Sequence, residues 1–141
     1  MERLSITKVF YFEAAHAITN HTGKCKNVHG HNYELHVSVS ANNLNEMNMI
    51  MDFDELKKIV QESVINHFDH CLLLNRHASC NAWANTTDSR VLWMENEPTV
   101  EFILLEIQEK IHRDLPERVR MTRLVLFETR SNYATWENLS N

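Results

Sequence analysis

The sequence predicts an α+β domain in the order β-β-α-α-β-β, an antiparallel sheet with two helices on one face. Three stretches carry that expectation. From Asn32 to Ala41 the chain alternates strictly, with Tyr33, Leu35, Val37, Val39 and Ala41 on one side and Asn32, Glu34, His36, Ser38 and Ser40 on the other. That is the pattern of a half-buried strand. Phe53, Leu56, Val60, Val64 and Phe68 recur at helical spacing. Alternation returns from Val119 to Glu128, where Leu124 and Leu126 make both sides apolar towards the end.

Taken in order, residues 4–17 form the first strand, rich in the β-formers Ile6, Val9, Phe10, Tyr11 and Phe12, with His16 near its end. Residues 18–28 are polar and carry Gly23, so they read as a loop, with His21 an exposed loop histidine. The second strand spans 29–41. After a polar connection, Asp52 caps the first helix, with Glu55 three residues later as in a capping box. This helix runs to about Phe68. Asp69-His70 ends it, and Cys71 before Leu72-Leu73-Leu74 reads as a small buried apolar residue. Residues 76–89 are polar and irregular, and Val91–Met94 reads as a short extra strand. Thr99 caps the second helix, which Pro116 stops after Leu115. The third strand covers 119–128, Ser131 and Asn132 turn the chain, and a last strand runs from Tyr133 to about Leu139.

A length of 141 residues suits one domain. The net charge of −5 and the lack of any Lys/Arg block argue against nucleic acid as a partner. No run of 18 apolar residues offers a membrane span, and the first residues lack the apolar core of a signal peptide. Three cysteines (Cys25, Cys71, Cys80) then read as thiols, and a cytoplasmic protein is expected.

The chemistry gathers at Cys25 to Tyr33, where Cys25, His29 and His31 stand as C-x3-H-x-H. Strand alternation points His29 and His31 the same way. A third metal ligand must come from elsewhere, and His16 is the first candidate, since a hairpin would bring it alongside. Nine histidines make chance pairs common, so H-x-H alone is a weak signal. Gly30 permits close approach, and a cysteine beside a cation can become a thiolate. Asp69-His70 can orient an imidazole, although the dipeptide alone reads as a helix end.

Together these pieces resemble the 6-pyruvoyl-tetrahydropterin synthase and 6-carboxy-tetrahydropterin synthase family. The resemblance rests on Phe12-Glu13-Ala14-Ala15-His16, Cys25 to His31, Asp52-Phe53, Asp69-His70, Pro98-Thr99-Val100-Glu101 and Phe127-Glu128-Thr129, in this order. It implies that His16, His29 and His31 hold Zn²⁺, that Cys25 is the catalytic cysteine and that Asp69 and His70 are its partner dyad. It implies a pterin anchored by Glu128, with Thr99 and Thr129 nearby. The implied architecture is the tunnelling fold: four antiparallel strands per subunit with helices outside, three subunits closing a barrel, and two trimers stacked as a homohexamer with sites between subunits. The implied reaction takes 7,8-dihydroneopterin triphosphate to 6-carboxy-tetrahydropterin with loss of acetaldehyde and triphosphate. The three-residue gap between Cys25 and His29 resembles the bacterial carboxy-forming enzymes of queuosine biosynthesis.

Alternatives are the pyruvoyl-forming reaction, a non-catalytic zinc or pterin-binding member, and an oligomeric scaffold with structural histidines. The full set Cys25, Asp69 and His70 weighs against a mere binding module. Two departures stand out: Glu97 precedes Pro98 where Asn is common, and the segment 76–96 is long. Lys24, Lys26 and Arg130 are candidates for the triphosphate, each read first as a solvated surface charge.

Overall fold

Two long strands form the spine of the molecule. β1 (Ile6–His16) and β2 (His29–Ala41) pair antiparallel throughout, with Ile6 opposite Val39 and His16 opposite His29. The computed structural model describes residues 3–78 and 90–140. Along β1, Phe10, Phe12, Ala14 and His16 are buried on one face, while Val9, Tyr11 and Glu13 are exposed on the other. On β2, Tyr33, Leu35, Val37 and Val39 continue the buried face, as the alternation predicts.

The sheet differs from the four antiparallel strands expected. It has six strands in the order β4-β3-β1-β2-β5-β6 and is mixed. β5 (Val119–Phe127) pairs antiparallel with β2, and β6 (Tyr133–Glu137) with β5. On the other side, β3 (Cys71–Asn75) runs parallel to β1, and β4 (Val91–Met94) runs parallel to β3. Val91–Met94 is the extra strand expected, whereas Cys71–Asn75 has no alternation to reveal it. Leu73 and Leu74 are both fully buried, and a short apolar run covered on two sides has no period of its own. Residues 79–89, with Cys80 and most of the irregular stretch expected at 76–89, lie outside the described residues.

α1 (Phe53–Val60) is capped by Asp52, whose carboxylate accepts from the Asp54 N–H at 2.7 Å. The cap bond falls one residue earlier than capping-box spacing predicts. The helix continues through a π turn, Gln61–Ile65, and a last α turn, Asn66–Phe68. Ser63 Oγ donates back to the Ile59 carbonyl at 2.7 Å, a bond that competes with the helix ladder within the π turn. α2 (Val100–Asp114) is capped by Thr99, whose hydroxyl accepts from the Phe102 N–H. It buries Ile103, Leu104, Ile107 and Ile111 against the core.

Phe12 and Tyr33 stack at 5.0 Å, and Phe68 from the end of the first helix tilts onto Phe12. Each such side chain contributes roughly 1.5–3 kcal/mol by burial. This aromatic stack ends at His16, so the core runs into the site. Among the described residues, no helix is long and apolar enough to cross a membrane.

Candidate metal centre and catalytic groups

The antiparallel register creates a histidine cluster. His16 faces His29 and Ala14 faces His31 across β1 and β2, so three imidazoles crowd together where the hairpin strands end. Their ring centroids lie 4.5 to 5.0 Å apart. His16 is wholly buried. The potential ligand atoms of His16, His29 and His31 all lie within 4.8 Å of one another.

Hydrogen bonds settle the tautomers. His16 Nδ1 lies 2.7 Å from the Pro98 carbonyl, and His29 Nδ1 lies 2.7 Å from the Asn27 carbonyl. A carbonyl only accepts, so each Nδ1 carries the proton and each neutral ring keeps its lone pair on Nε2. The two Nε2 atoms stand 3.0 Å apart, with no proton between them when both rings are neutral. Burial, together with the neighbouring imidazoles, holds His16 below the ordinary histidine value, although the Pro98 bond and Glu128 pull it up. Burial also lowers His31, against the pull of Glu128. His31 Nε2 is buried without a hydrogen-bond partner. Facing lone pairs and an orphaned buried nitrogen are costly alone and are what a cation would satisfy. The residues present therefore fit a metal such as zinc, with the Pro98 and Asn27 carbonyls orienting two of the ligands.

Tyr33 and Glu128 complete the walls. Tyr33 Oη is 3.5 Å from His16 Nδ1, and burial pushes its hydroxyl well above the ordinary tyrosine value, with the Glu128 charge adding to it. Glu128, immediately after β5, places Oε1 3.4 Å from His16 Nε2 and 3.5 Å from His31 Nε2. The following turn is held by Glu128 N–H on the Asn132 carbonyl and by Asn132 N–H on Thr129 Oγ. Glu128, Thr129, Phe127, Tyr11 and His31 line a cavity of about 400 Å³. Arg130 lines it too, but Thr99 does not. Thr99 instead caps α2, next to the Pro98 carbonyl that holds His16.

Asp69 and His70 stand in contact. His70 Nδ1 lies 2.9 Å from Asp69 Oδ2, and Asp69 Oδ1 accepts from the Glu13 N–H at 2.9 Å. Burial alone would raise the Asp69 carboxyl, but the Glu13 N–H and His70 outweigh it and hold the group low. His70 has φ of 62°, and its N–H donates to the Glu13 carbonyl at 2.6 Å. A bulky residue in the left-handed region marks a constrained position. The Glu13 side chain stands on the other flank of the ring, 3.7 Å from Nε2. His70, Glu13, Arg90, Gly30 and His31 border a second cavity of about 460 Å³. The two cavities meet at Gly30, His31 and Asn32.

Cys25 sits in a short 3-10 turn, Lys24–Lys26, partly exposed, with its carbonyl accepting from the Ile18 N–H. Neither cavity is lined by Cys25, Lys24 or Lys26. Cys71, in β3, is half-buried, and its thiol donates to the His67 carbonyl at 3.1 Å. Burial, with the Asp69 charge, raises it against the opposing Arg90.

Sequence reasoning gave no site role to Tyr33, Glu13 or Glu97, although it noted Glu97 as a departure, and it missed the carbonyls of Asn27 and Pro98. Tyr33 was within reach, because it continues the His29, His31 alternation. The carbonyls were not, because every residue has one.

Comparison with known proteins gives the family and the fold. The chain is 32% identical over 130 residues to 6-carboxy-5,6,7,8-tetrahydropterin synthase of Rickettsia bellii, covering 89% of this chain and 94% of that one. It is 27% identical over 139 residues to the protein of the same name from Haemophilus influenzae, covering 94% and 97%. The fold matches the solved 6-pyruvoyl tetrahydropterin synthase of Caenorhabditis elegans with a TM-score of 0.73 at 23% identity, covering 98% of this chain and 99% of that one. Residues 5–138 match the family described as 6-pyruvoyl tetrahydropterin synthase, nearly the whole chain, and the protein belongs to that family of enzymes.

Proposed function

We propose that the protein is a zinc-dependent lyase that converts 7,8-dihydroneopterin triphosphate to 6-carboxy-5,6,7,8-tetrahydropterin, releasing acetaldehyde and triphosphate, in queuosine-type 7-deazaguanine biosynthesis. The observation that carries it is the cluster of three imidazoles, with the His16 and His29 Nε2 atoms facing each other and His31 Nε2 unpartnered, beside the cavity that holds Glu128 and Thr129. The relatives named above as 6-carboxy-tetrahydropterin synthases support the carboxy-forming product over the pyruvoyl one.

His16, His29 and His31 would hold the zinc, which when bound supplies Lewis acidity towards the hydroxyls of the substrate side chain. Glu128 offers a carboxylate to the paired N–H donors of the pterin edge, and the Thr129 hydroxyl adds a neighbouring polar contact. The Phe127 and Tyr11 rings give that cavity apolar walls. Cys25, as thiolate, takes a proton from side-chain carbon. His70, oriented through Nδ1 by Asp69, holds or returns a proton at Nε2, and the residue lines the same cavity as His31.

The dyad stands beside Glu13, on the strand face opposite His16. Cys25 lines neither cavity of the single chain. A hexamer built as a dimer of trimers, with sites between subunits, is therefore part of the proposal. A cytoplasmic location and a role for Thr99 near the pterin belong to it as well.

The test is mass spectrometry of the products from purified protein and dihydroneopterin triphosphate, with zinc counted on the same sample. A 6-carboxy product with acetaldehyde and one zinc per chain is expected. A 6-pyruvoyl product would move the chain to the biopterin-type reaction. Full turnover by a Cys25→Ala protein would remove Cys25 from the chemistry.

A further inference from the structure

Glu97 stands directly before Pro98, whose carbonyl orients His16. Its carboxylate gathers three donors from two other segments. Oε2 accepts from the Thr19 N–H at 3.1 Å, and Oε1 accepts from Thr19 Oγ at 2.7 Å and from Asn75 Nδ2 at 3.3 Å. Thr19 lies three residues beyond His16 in the loop that leaves β1, and Asn75, nearly buried, ends β3. The Thr99 N–H donates to the Glu97 carbonyl at 2.8 Å, which tightens the same turn at the start of α2.

These bonds close a small ring. It runs from the His16 imidazole to the Pro98 carbonyl, back one residue to Glu97, across to Thr19, and along Ile18 and Ala17 to His16 again. The His16 main chain and its ring are thus held by adjacent residues of one distant segment. Bonds to a carboxylate are stronger than bonds between neutral groups. If Thr19 were free to move relative to Pro98, the 2.7 Å bond at Nδ1 would lose its alignment. The ring could then take the other tautomer, with its proton on Nε2.

We propose that Glu97 is a positioning residue for the metal centre: its carboxylate locks the loop after β1 to the Pro98 turn and so fixes the tautomer and direction of His16. The inference rests on the metal reading given above. It assigns a role to the one residue of the Pro98 turn that departs from the pattern noted in the sequence.

The experiment measures zinc affinity by competition with a chromogenic chelator, on the full chain purified metal-free. Wild type, Glu97→Ala, Thr19→Val and Val39→Ala are compared. Val39 lies in the core at the far end of the hairpin and serves as a control for general destabilisation. Loss of a partner that orients a metal ligand typically costs about 10–100-fold in affinity. Glu97→Ala is expected to weaken zinc binding about tenfold, and Thr19→Val, which removes only the 2.7 Å hydroxyl bond, about threefold. Val39→Ala is expected to stay within about twofold of wild type. Nitrogen-15 spectra of the metal-free histidines should show one tautomer at His16 in wild type and a mixture in Glu97→Ala.

Unchanged affinity in both Glu97→Ala and Thr19→Val, or an equal loss in Val39→Ala, would overturn the positioning role. If Glu97→Ala does not fold, Thr19→Val with wild-type affinity and a single tautomer overturns it alone. Failure of the wild type to bind zinc would instead bring down the metal reading, and the positioning role with it.

Discussion

His70 holds a left-handed backbone, φ 62°, that glycine would adopt without strain. Its ring lies between the carboxylates of Asp69 and Glu13. Replacing it with glycine removes strain of about 1–2 kcal/mol, offset by glycine's greater freedom in the unfolded chain, about 0.5–1 kcal/mol. His70→Gly is expected to unfold within about 1 kcal/mol of wild type in urea, yet to lose roughly 10²–10⁴ in turnover. A variant as active as wild type would exclude His70 from proton transfer.

Asp69 gives a pH dependence of known sign. Its folded carboxyl is held below the ordinary value of 3.8, so the folded state binds a proton less readily than the unfolded state. The resulting stability is fully present above that value and is lost as pH falls through the folded one. Urea unfolding of wild type and Asp69→Asn between neutral pH and pH 2 should show the pH-dependent part of their difference vanish at the acid end. At this scale the meeting of His16, His29 and His31 was legible, because a period of two and a hairpin register are written in side chains. The bonds that orient them were not, because Pro98 reaches His16 from 82 residues away through its backbone.

β3 is the element that changes the expected fold. Leu73 stands opposite His16 across the parallel pair and is fully buried. Leu73→Ala is expected to cost about 2–5 kcal/mol in chemical denaturation. It should also weaken metal binding, because the cavity would open behind His16. A cost below 1 kcal/mol would mean that Cys71–Asn75 is a loosely held strand. β1, β2 and the first helix were readable because each shows one covered face, and the third expected strand because alternation opens it before both of its sides turn apolar. Thr99 shows its cap in the sequence, and so does Asp52. The π turn at Gln61–Ile65 gave no sequence signal, since Ser63 at a buried helical position is an ordinary sight until its hydroxyl is seen to bond Ile59.

In the whole molecule, His16, His29 and His31 belong to one hairpin, with His16 and His29 only 13 residues apart, while Pro98 and β5 arrive from far along the chain. Contacts close in sequence form early, and distant ones wait on the closure of long loops. The histidine cluster is therefore expected to assemble mostly before the rest of the sheet. A cation captured by that hairpin would be held in the folding transition state and would speed folding, beyond any slowing of unfolding. Stopped-flow refolding of the metal-free protein with and without one equivalent of zinc reads this directly. A faster refolding limb with zinc is expected, whereas zinc that only slows unfolding would mean the site forms last.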